Sequence, residues 1–196
     1  MRTDFAPVQI AWDPVGKPWP SAELQYAKHE GSIREFCAQR AALSTNSNVW
    51  AEFGVENGTS ARYFLSQLPE DGELFLFDSF EGLPEAWSDK QPAGLRKAVA
   101  VPSFDDARVH IVSGWFKDTL PFAPPLSFVH VDCDLYSSTK QVLEGITVMS
   151  GTVILFDELF GYDGWQGHEY KALMEWDVPW RFIARDEKFR AAVEVI

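Results

Sequence analysis

The 196-residue chain predicts an α/β protein built on a doubly wound, mostly parallel sheet. Three observations predict it. Short apolar runs alternate with stretches of helical periodicity along most of the sequence. One such run, Val49 to Phe53, meets Gly54 and then Gly58 just before a helical pattern, which is the layout of a strand–turn–helix crossover. The last two apolar segments, 181–184 and 191–196, read as a hairpin that closes one antiparallel edge. One domain is the simplest count for this length. Within it, 1–45 read as an N-terminal arm with helices and 46–196 as the sheet-bearing core.

The elements follow in order. Pro7, Pro14, Pro18 and Pro20 make 1–20 an irregular arm, and Ser21 caps a short helix to about Glu30. Ser32 with Glu35 forms a capping box that opens a second helix, with Ile33, Phe36 and Cys37 on one face and Asn46-Ser47-Asn48 as its stop. The first strand is 49–53. The helix after it places Ala61, Phe64, Leu65 and Leu68 on one apolar stripe. Residues 73–78 form a second strand. Residues 84–108, with their prolines, Gly94 and mixed charges, form a long surface excursion of the kind that serves as a lid or binding loop. Val109 to Val112 is a third strand. Pro121, Pro124 and Pro125 stop regular structure until the fourth strand, 126–132. Ser138 and Gln141 predict a further capping box, with Val142, Leu143, Ile146 and Met149 as that helix's apolar face. A fifth strand covers 152–157 and a helix covers 164–176.

With 17 basic and 29 acidic residues the net charge is -12, which repels nucleic-acid phosphates, and no basic patch offsets it. No apolar run approaches the ~20 residues of a membrane span, and the N-terminus lacks the apolar core of a leader. Cys37 and Cys133 lie far apart and in different elements, so a disulfide framework is not expected and a reducing, cytoplasmic setting is.

In such sheets ligands gather at the carboxyl ends of the strands. Those ends carry Glu52 and Gly54, Asp78, Ser113 and Gly114, Asp132, and Asp157 with Glu158. Any one of these acids alone reads equally well as a helix cap or a solvated charge. Together they outline a site. The turn lacks the full G-x-G-x-x-G signature, so an adenosine ligand without a pyrophosphate is expected on Gly54, Val55, Gly58, Thr59 and Ser60. Asp78, following at the end of the second strand, is placed to receive a ribose. Asp132, Asp157 and Glu158 end neighbouring strands, and carboxylates held close repel one another unless a cation sits among them. A hard divalent ion answers that, magnesium by default, with manganese or calcium as alternatives. The competing reading has one or two of these acids capping helices or pairing with Lys140 or Lys171. His168 orients substrate, acts as a base, or satisfies a carbonyl. His130 reads as a core histidine, and Cys133 lacks the basic partner a reactive thiolate needs. Trp87, Trp115, Phe160, Tyr162 and Trp165 fall in loops on the ligand side, either as packing or as the wall of an aromatic or sugar pocket.

Five segments then carry a resemblance: Glu52 to Val55 with Gly58 to Ser60; Asp78-Ser79-Phe80-Glu81-Gly82-Leu83-Pro84; Gly114 to Pro121; Val131 to Thr139 with its Asp-x-Asp-Leu-Tyr core; and Phe156-Asp157-Glu158. They resemble the macrocin O-methyltransferase family over about residues 49–176. The resemblance implies a Rossmann-like, seven-stranded class I methyltransferase fold with S-adenosylmethionine (SAM) on the first glycine turn. It implies cofactor contacts from Glu52, Gly54, Val55, Gly58, Thr59, Ser60, Asp78, Ser79, Phe80, Ser113, Gly114 and Asp132. It also implies a magnesium site of Asp132, Asp157 and Glu158, where the family's pair is more often Asp-Asp. The lysine base of catechol methyltransferases is absent, since Leu135 stands at its place. The expected reaction is methyl transfer from SAM to a hydroxyl of a sugar, phenol or other small natural product. Asp132 is the leading candidate to take the proton, with His168 and Asp134 as alternates. Two rivals stand beside it: a haloacid dehalogenase-type phosphohydrolase using Asp132-x-Asp134, and a SAM-binding protein without catalysis. The arm 1–45 is a possible homodimer contact.

Overall fold

The structure, a computed structural model, describes residues 32–196. The expected arm 1–20 and the helix at 21–30 lie outside the described residues. Along the chain run α1 (Ile33–Ala42), β1 (Val49–Phe53), α2 (Thr59–Gln67), β2 (Glu73–Asp78), β3 (Val109–Ser113), α3 (Phe116–Thr119), β4 (Phe122–Val131), α4 (Tyr136–Gly145), β5 (Ile146–Phe156), a 3-10 turn (Trp165–Gly167), α5 (Glu169–Met174), β6 (Trp180–Arg185) and β7 (Ala191–Val195). The seven strands form one sheet in the order β3-β2-β1-β4-β5-β7-β6. The first five are parallel, and β7 runs antiparallel to both β5 and β6. This is the doubly wound sheet with a terminal hairpin that the sequence predicts. The order reverses between β1 and β4, so the ligand crevice of such a sheet opens at their carboxyl ends.

Strand alternation sorts β1 between two cores. Ala51 and Phe53 face a cluster with Val142, Leu143 and Leu173 from α4 and α5. Trp50 faces the opposite cluster, with Ile33 and Cys37 of α1 and Phe64 of α2. Glu52 shares the parity of Trp50, and this puts a carboxylate on the α1–α2 side of the sheet, fully buried. Phe53 stacks on Phe77 with centroids 4.6 Å apart, which locks β1 to β2 just below the turn.

Five local expectations are corrected. The helix opened by Ser32, whose Oγ accepts from the Glu35 N–H at 3.4 Å, ends at Ala42, short of Asn46. The capping box at Ser138 does not form: α4 begins two residues earlier at Tyr136, and the Gln141 side chain donates to the Ser137 carbonyl at 3.0 Å. That helix stops at Gly145, where a Cβ would lie 2.9 Å from Leu120, so Ile146 pairs with Phe122 and Met149 lies in β5. Pro124 and Pro125 lie inside β4, because register shifts flank them and relieve the missing N–H. The segment 164–176 breaks into the 3-10 turn and the six-residue α5. Residues 84–108 hold only an isolated bridge, Ser88 to Gln91, as expected of the long excursion. No described helix is long and apolar enough to cross a membrane.

Candidate active site

The tightest approach in the site is between the β1 turn and the end of β4. Gly54 has φ +90°, and a Cβ on it would lie 1.7 Å from the Asp132 carbonyl oxygen. Only glycine fits there. Gly58, at φ +78°, heads α2. Asp78 at the end of β2 holds the turn from the other side. One of its oxygens accepts the backbone N–H groups of Val55 and Glu56, at 2.7 and 2.8 Å. The other accepts that of Phe80 at 2.7 Å. A cavity of about 730 Å³ opens over this turn, within the range of small-molecule sites.

Of the residues expected to contact the cofactor, Gly54, Val55, Thr59, Ser60, Asp78, Ser79, Gly114 and Asp132 line this cavity. Glu52, Gly58, Phe80 and Ser113 are not among its lining residues. Glu52 lies beneath it, accepting from the Ser60 hydroxyl and facing His130 Nδ1 at 3.0 Å. Phe80 is buried and Ser113 is exposed at the end of β3. The structure adds Arg34, Asn57, Arg96, Lys117 and Gln141 to the wall. Their side chains come from α1, the β1 turn, the long excursion, α3 and the middle of α4, and no spacing in the sequence marks them as parts of one site.

Beyond the turn, the same cavity reaches an acidic floor. Asp132, Asp134 and Glu158 each present an oxygen, all within 4.8 Å of one another. Burial, then the neighbouring acids, pushes Asp132 up to about 7 and Glu158 to about 9. Burial likewise lifts Asp134 to about 6, against the pull of Arg96. Asp134 also holds φ +63°, a left-handed backbone that Asp tolerates better than most residues. Asp157 lines the cavity but turns its oxygens elsewhere. It accepts from Arg34 at 2.7 Å and from Arg190 at 2.6 and 3.0 Å, with His130 Nε2 at 3.4 Å. Against its burial, the bonds from His130 and Arg190 hold Asp157 far below the ordinary carboxylate range. The structure therefore gathers Asp132 and Glu158 of the expected trio with Asp134, and ties Asp157 to guanidinium groups.

His130 is the core histidine expected. Both ring nitrogens face carboxylates, and although burial opposes its charge, Asp157 and Glu52 lift it to about 9. His168 is half-buried and is not among the cavity's lining residues, and burial lowers its pKa. It packs edge-on to Trp87 at 6.1 Å and beside Tyr162 at 6.3 Å. Trp115 lines the cavity, whereas Trp165 packs on Tyr170 at 4.6 Å and Phe160 is buried, so the aromatic group splits between wall and core. Cys133 is buried, and desolvation raises its thiol well above its usual range, so it is no ready thiolate.

Hard carboxylate oxygens converging in this way suit a divalent ion such as Mg²⁺. Glu158 Oε2 is buried and without a hydrogen-bond partner among the described residues, an orphan that an ion would satisfy. A pH effect follows. Asp132, Asp134 and Glu158 bind protons more tightly folded than unfolded. In ion-free protein their stabilisation is fully present below the ordinary carboxylate range and lost as pH rises through about 6, 7 and 9. His130, raised to about 9, loses its contribution in the same direction. Calorimetry in EDTA is expected to show a melting temperature that falls between pH 6 and pH 9. Added Mg²⁺ is expected to restore it by a margin that grows with pH.

Residues 49–172 match the family model described as Macrocin-O-methyltransferase (TylF). Among curated relatives, an 8-demethyl-8-(2,3-dimethoxy-alpha-L-rhamnosyl)-tetracenomycin-C 4'-O-methyltransferase of Streptomyces olivaceus is 28% identical over 171 residues, covering 74% of this chain and 66% of that protein. A demethyldecarbamoylnovobiocin O-methyltransferase of Streptomyces niveus is 31% identical over 110 residues, covering 45% and 42%. A mycinamicin III 3''-O-methyltransferase of Micromonospora griseorubida is 30% identical over 95 residues, covering 37% of each. The matches thus span about two thirds of the first relative and less than half of the others. Among solved structures, the TDP-rhamnose 3'-O-methyltransferase of calicheamicin biosynthesis aligns with TM-score 0.58 at 20% identity, over 83% of this chain and 76% of that one. A methyltransferase of Podospora anserina aligns with TM-score 0.52 at 15% identity, over 84% and 78%. At these identities the two structures speak for the fold.

Proposed function

This chain belongs to the macrocin O-methyltransferase family, and we propose that it transfers a methyl group from SAM to a hydroxyl of a small natural product, in a reaction assisted by a divalent cation. The observation that carries the reading is the single cavity in which the β1 glycine turn and the Asp132–Asp134–Glu158 floor face the same space. The curated relatives are named for O-methylation of a rhamnosyl group, a novobiocin precursor and mycinamicin III, so a sugar or phenolic hydroxyl is the acceptor we favour. The phosphohydrolase alternative gives way to the family membership.

When bound, SAM supplies an electrophilic methyl on a sulfonium, and a divalent ion would lower the pKa of an acceptor hydroxyl and fix its position. The residues of this chain do the rest. Gly54 and Asp78 shape and hold the turn on which the nucleoside rests. Asp132, Asp134 and Glu158 would hold the ion, with Asp157 anchoring their surroundings through Arg34 and Arg190. The step is an in-line displacement: the acceptor oxygen bonds to the methyl carbon, the carbon–sulfur bond breaks, its pair stays on sulfur, and the hydroxyl proton leaves to a carboxylate. Asp132 is our candidate for that proton, with Asp134 beside it and His168, outside the cavity lining, as alternates. Alignment carries much of the rate, so the walls matter as much as the base.

Chelation tests the reading. EDTA is expected to lower turnover by about 100-fold or more while leaving S-adenosylhomocysteine (SAH) binding within twofold, and Mg²⁺ to restore it. Turnover that survives exhaustive chelation would remove the cation. SAH binding without methyl transfer to any sugar or phenol acceptor would favour a non-catalytic binder.

A further inference from the structure

Glu169, the first residue of α5, is wholly buried. Its Oε2 accepts the backbone N–H of Glu158 at 3.3 Å. Its Oε1 has no hydrogen-bond partner among the described residues, and neither has Oε2 of Glu158. Two residues in contact thus each leave a buried carboxylate oxygen unpaired. Such a pair is costly to bury ionised, so it holds protons or has positive charge supplied to it. Arg96, on the exposed long excursion, acts on Asp134, and the other cations nearest the floor are committed to other acids. Arg34 and Arg190 bond to Asp157, and His130 lies between Asp157 and Glu52. The charges that act on Glu169 are those of Glu158, Asp134, Asp132 and Asp157, all acidic.

We infer that Glu169 is a positioning residue of the cation site: it fixes Glu158 through the backbone and stands behind the Asp132–Asp134–Glu158 set as a fourth, wholly buried carboxyl group. The inference rests on the cation reading above. Groups of this kind, behind the direct ligands, typically carry 10- to 100-fold in metal affinity.

Glu169→Gln tests it, because glutamine keeps the size and keeps an acceptor for the Glu158 N–H while removing the carboxyl that can ionise when a cation is bound. Mn²⁺ binding is read by electron paramagnetic resonance, SAH binding by calorimetry and ion-free stability by melting temperature. The expected outcome is Mn²⁺ affinity weakened about 10- to 100-fold, SAH affinity within twofold, and an ion-free melting temperature unchanged or higher. A prop that merely supports the fold would move these in the opposite sense, lowering stability and sparing Mn²⁺. The inference is overturned if the wild type binds Mn²⁺ and Glu169→Gln binds it within twofold, or if Mn²⁺ affinity, SAH affinity and melting temperature all fall together. A wild type that binds no Mn²⁺ instead overturns the cation reading, and this inference with it.

Discussion

Asp132→Asn is expected to lower kcat by about 1,000-fold while SAH binds within threefold of wild type. The substitution is nearly isosteric and leaves the backbone of Asp132 in place, so its N–H still donates to the Phe53 carbonyl at 2.9 Å and its own carbonyl still abuts Gly54. The turn proposed to carry the nucleoside therefore keeps its shape. What is lost is one charge from the convergent set and the side chain proposed to take the proton. The loss should appear in kcat more than in the KM for SAM, because the carboxylate is proposed to act on the acceptor oxygen rather than on the nucleoside. Mn²⁺ affinity should fall in parallel. Retained turnover in Asp132→Asn, with Mn²⁺ still bound, would move the chemistry to Asp134 or His168.

Much of the fold was legible in the sequence because buried parallel strands leave continuous apolar runs, and β1 and β2 match their predicted bounds. The glycine turn was legible for a related reason, since positions that admit no Cβ leave glycine in the sequence. Proline misled at β4, where register shifts accommodate Pro124 and Pro125 inside the strand. Ser138 misled at α4, where the helix begins at Tyr136 without a side-chain cap. The partition of the acids was beyond reach for a different reason. Asp157 differs from Asp134 in its partners, and those are Arg34, 123 positions away, and Arg190, 33 positions away. Nothing local in the sequence records a guanidinium delivered from another element. Glu169 escaped notice in the same way, as one acid in a short helix with ordinary spacing, until its burial and its bond to Glu158 set it apart.

Gly54→Ala is expected to be the most damaging single added methyl among the described glycines. Its Cβ would lie 1.7 Å from the Asp132 oxygen and 2.6 Å from the Asp132 carbon, both backbone atoms with no rotamer to move. Relief requires β1 and β4 to part at the switch point. That strains the Asp132 N–H bond to Phe53 at 2.9 Å and the Gly54 N–H bond to Phe77 at 3.0 Å. Alanine at φ +90° adds about 1–2 kcal/mol of backbone strain by itself. The sum is expected to reach about 4 kcal/mol or more, a large share of the 5–15 kcal/mol that holds a typical domain together. Gly94→Ala provides the control. Gly94 has a similar φ of +79°, yet a Cβ there meets nothing within 4 Å, so it should cost only the backbone strain. Denaturant unfolding and SAH calorimetry on both variants separate the two contributions. Gly54→Ala should lose SAH binding by about 100-fold or more, because the same displacement opens the turn over which the nucleoside is proposed to lie. A Gly54→Ala protein as stable as Gly94→Ala and still binding SAH tightly would show that the strand ends yield without cost, and would move the cofactor away from the β1 turn.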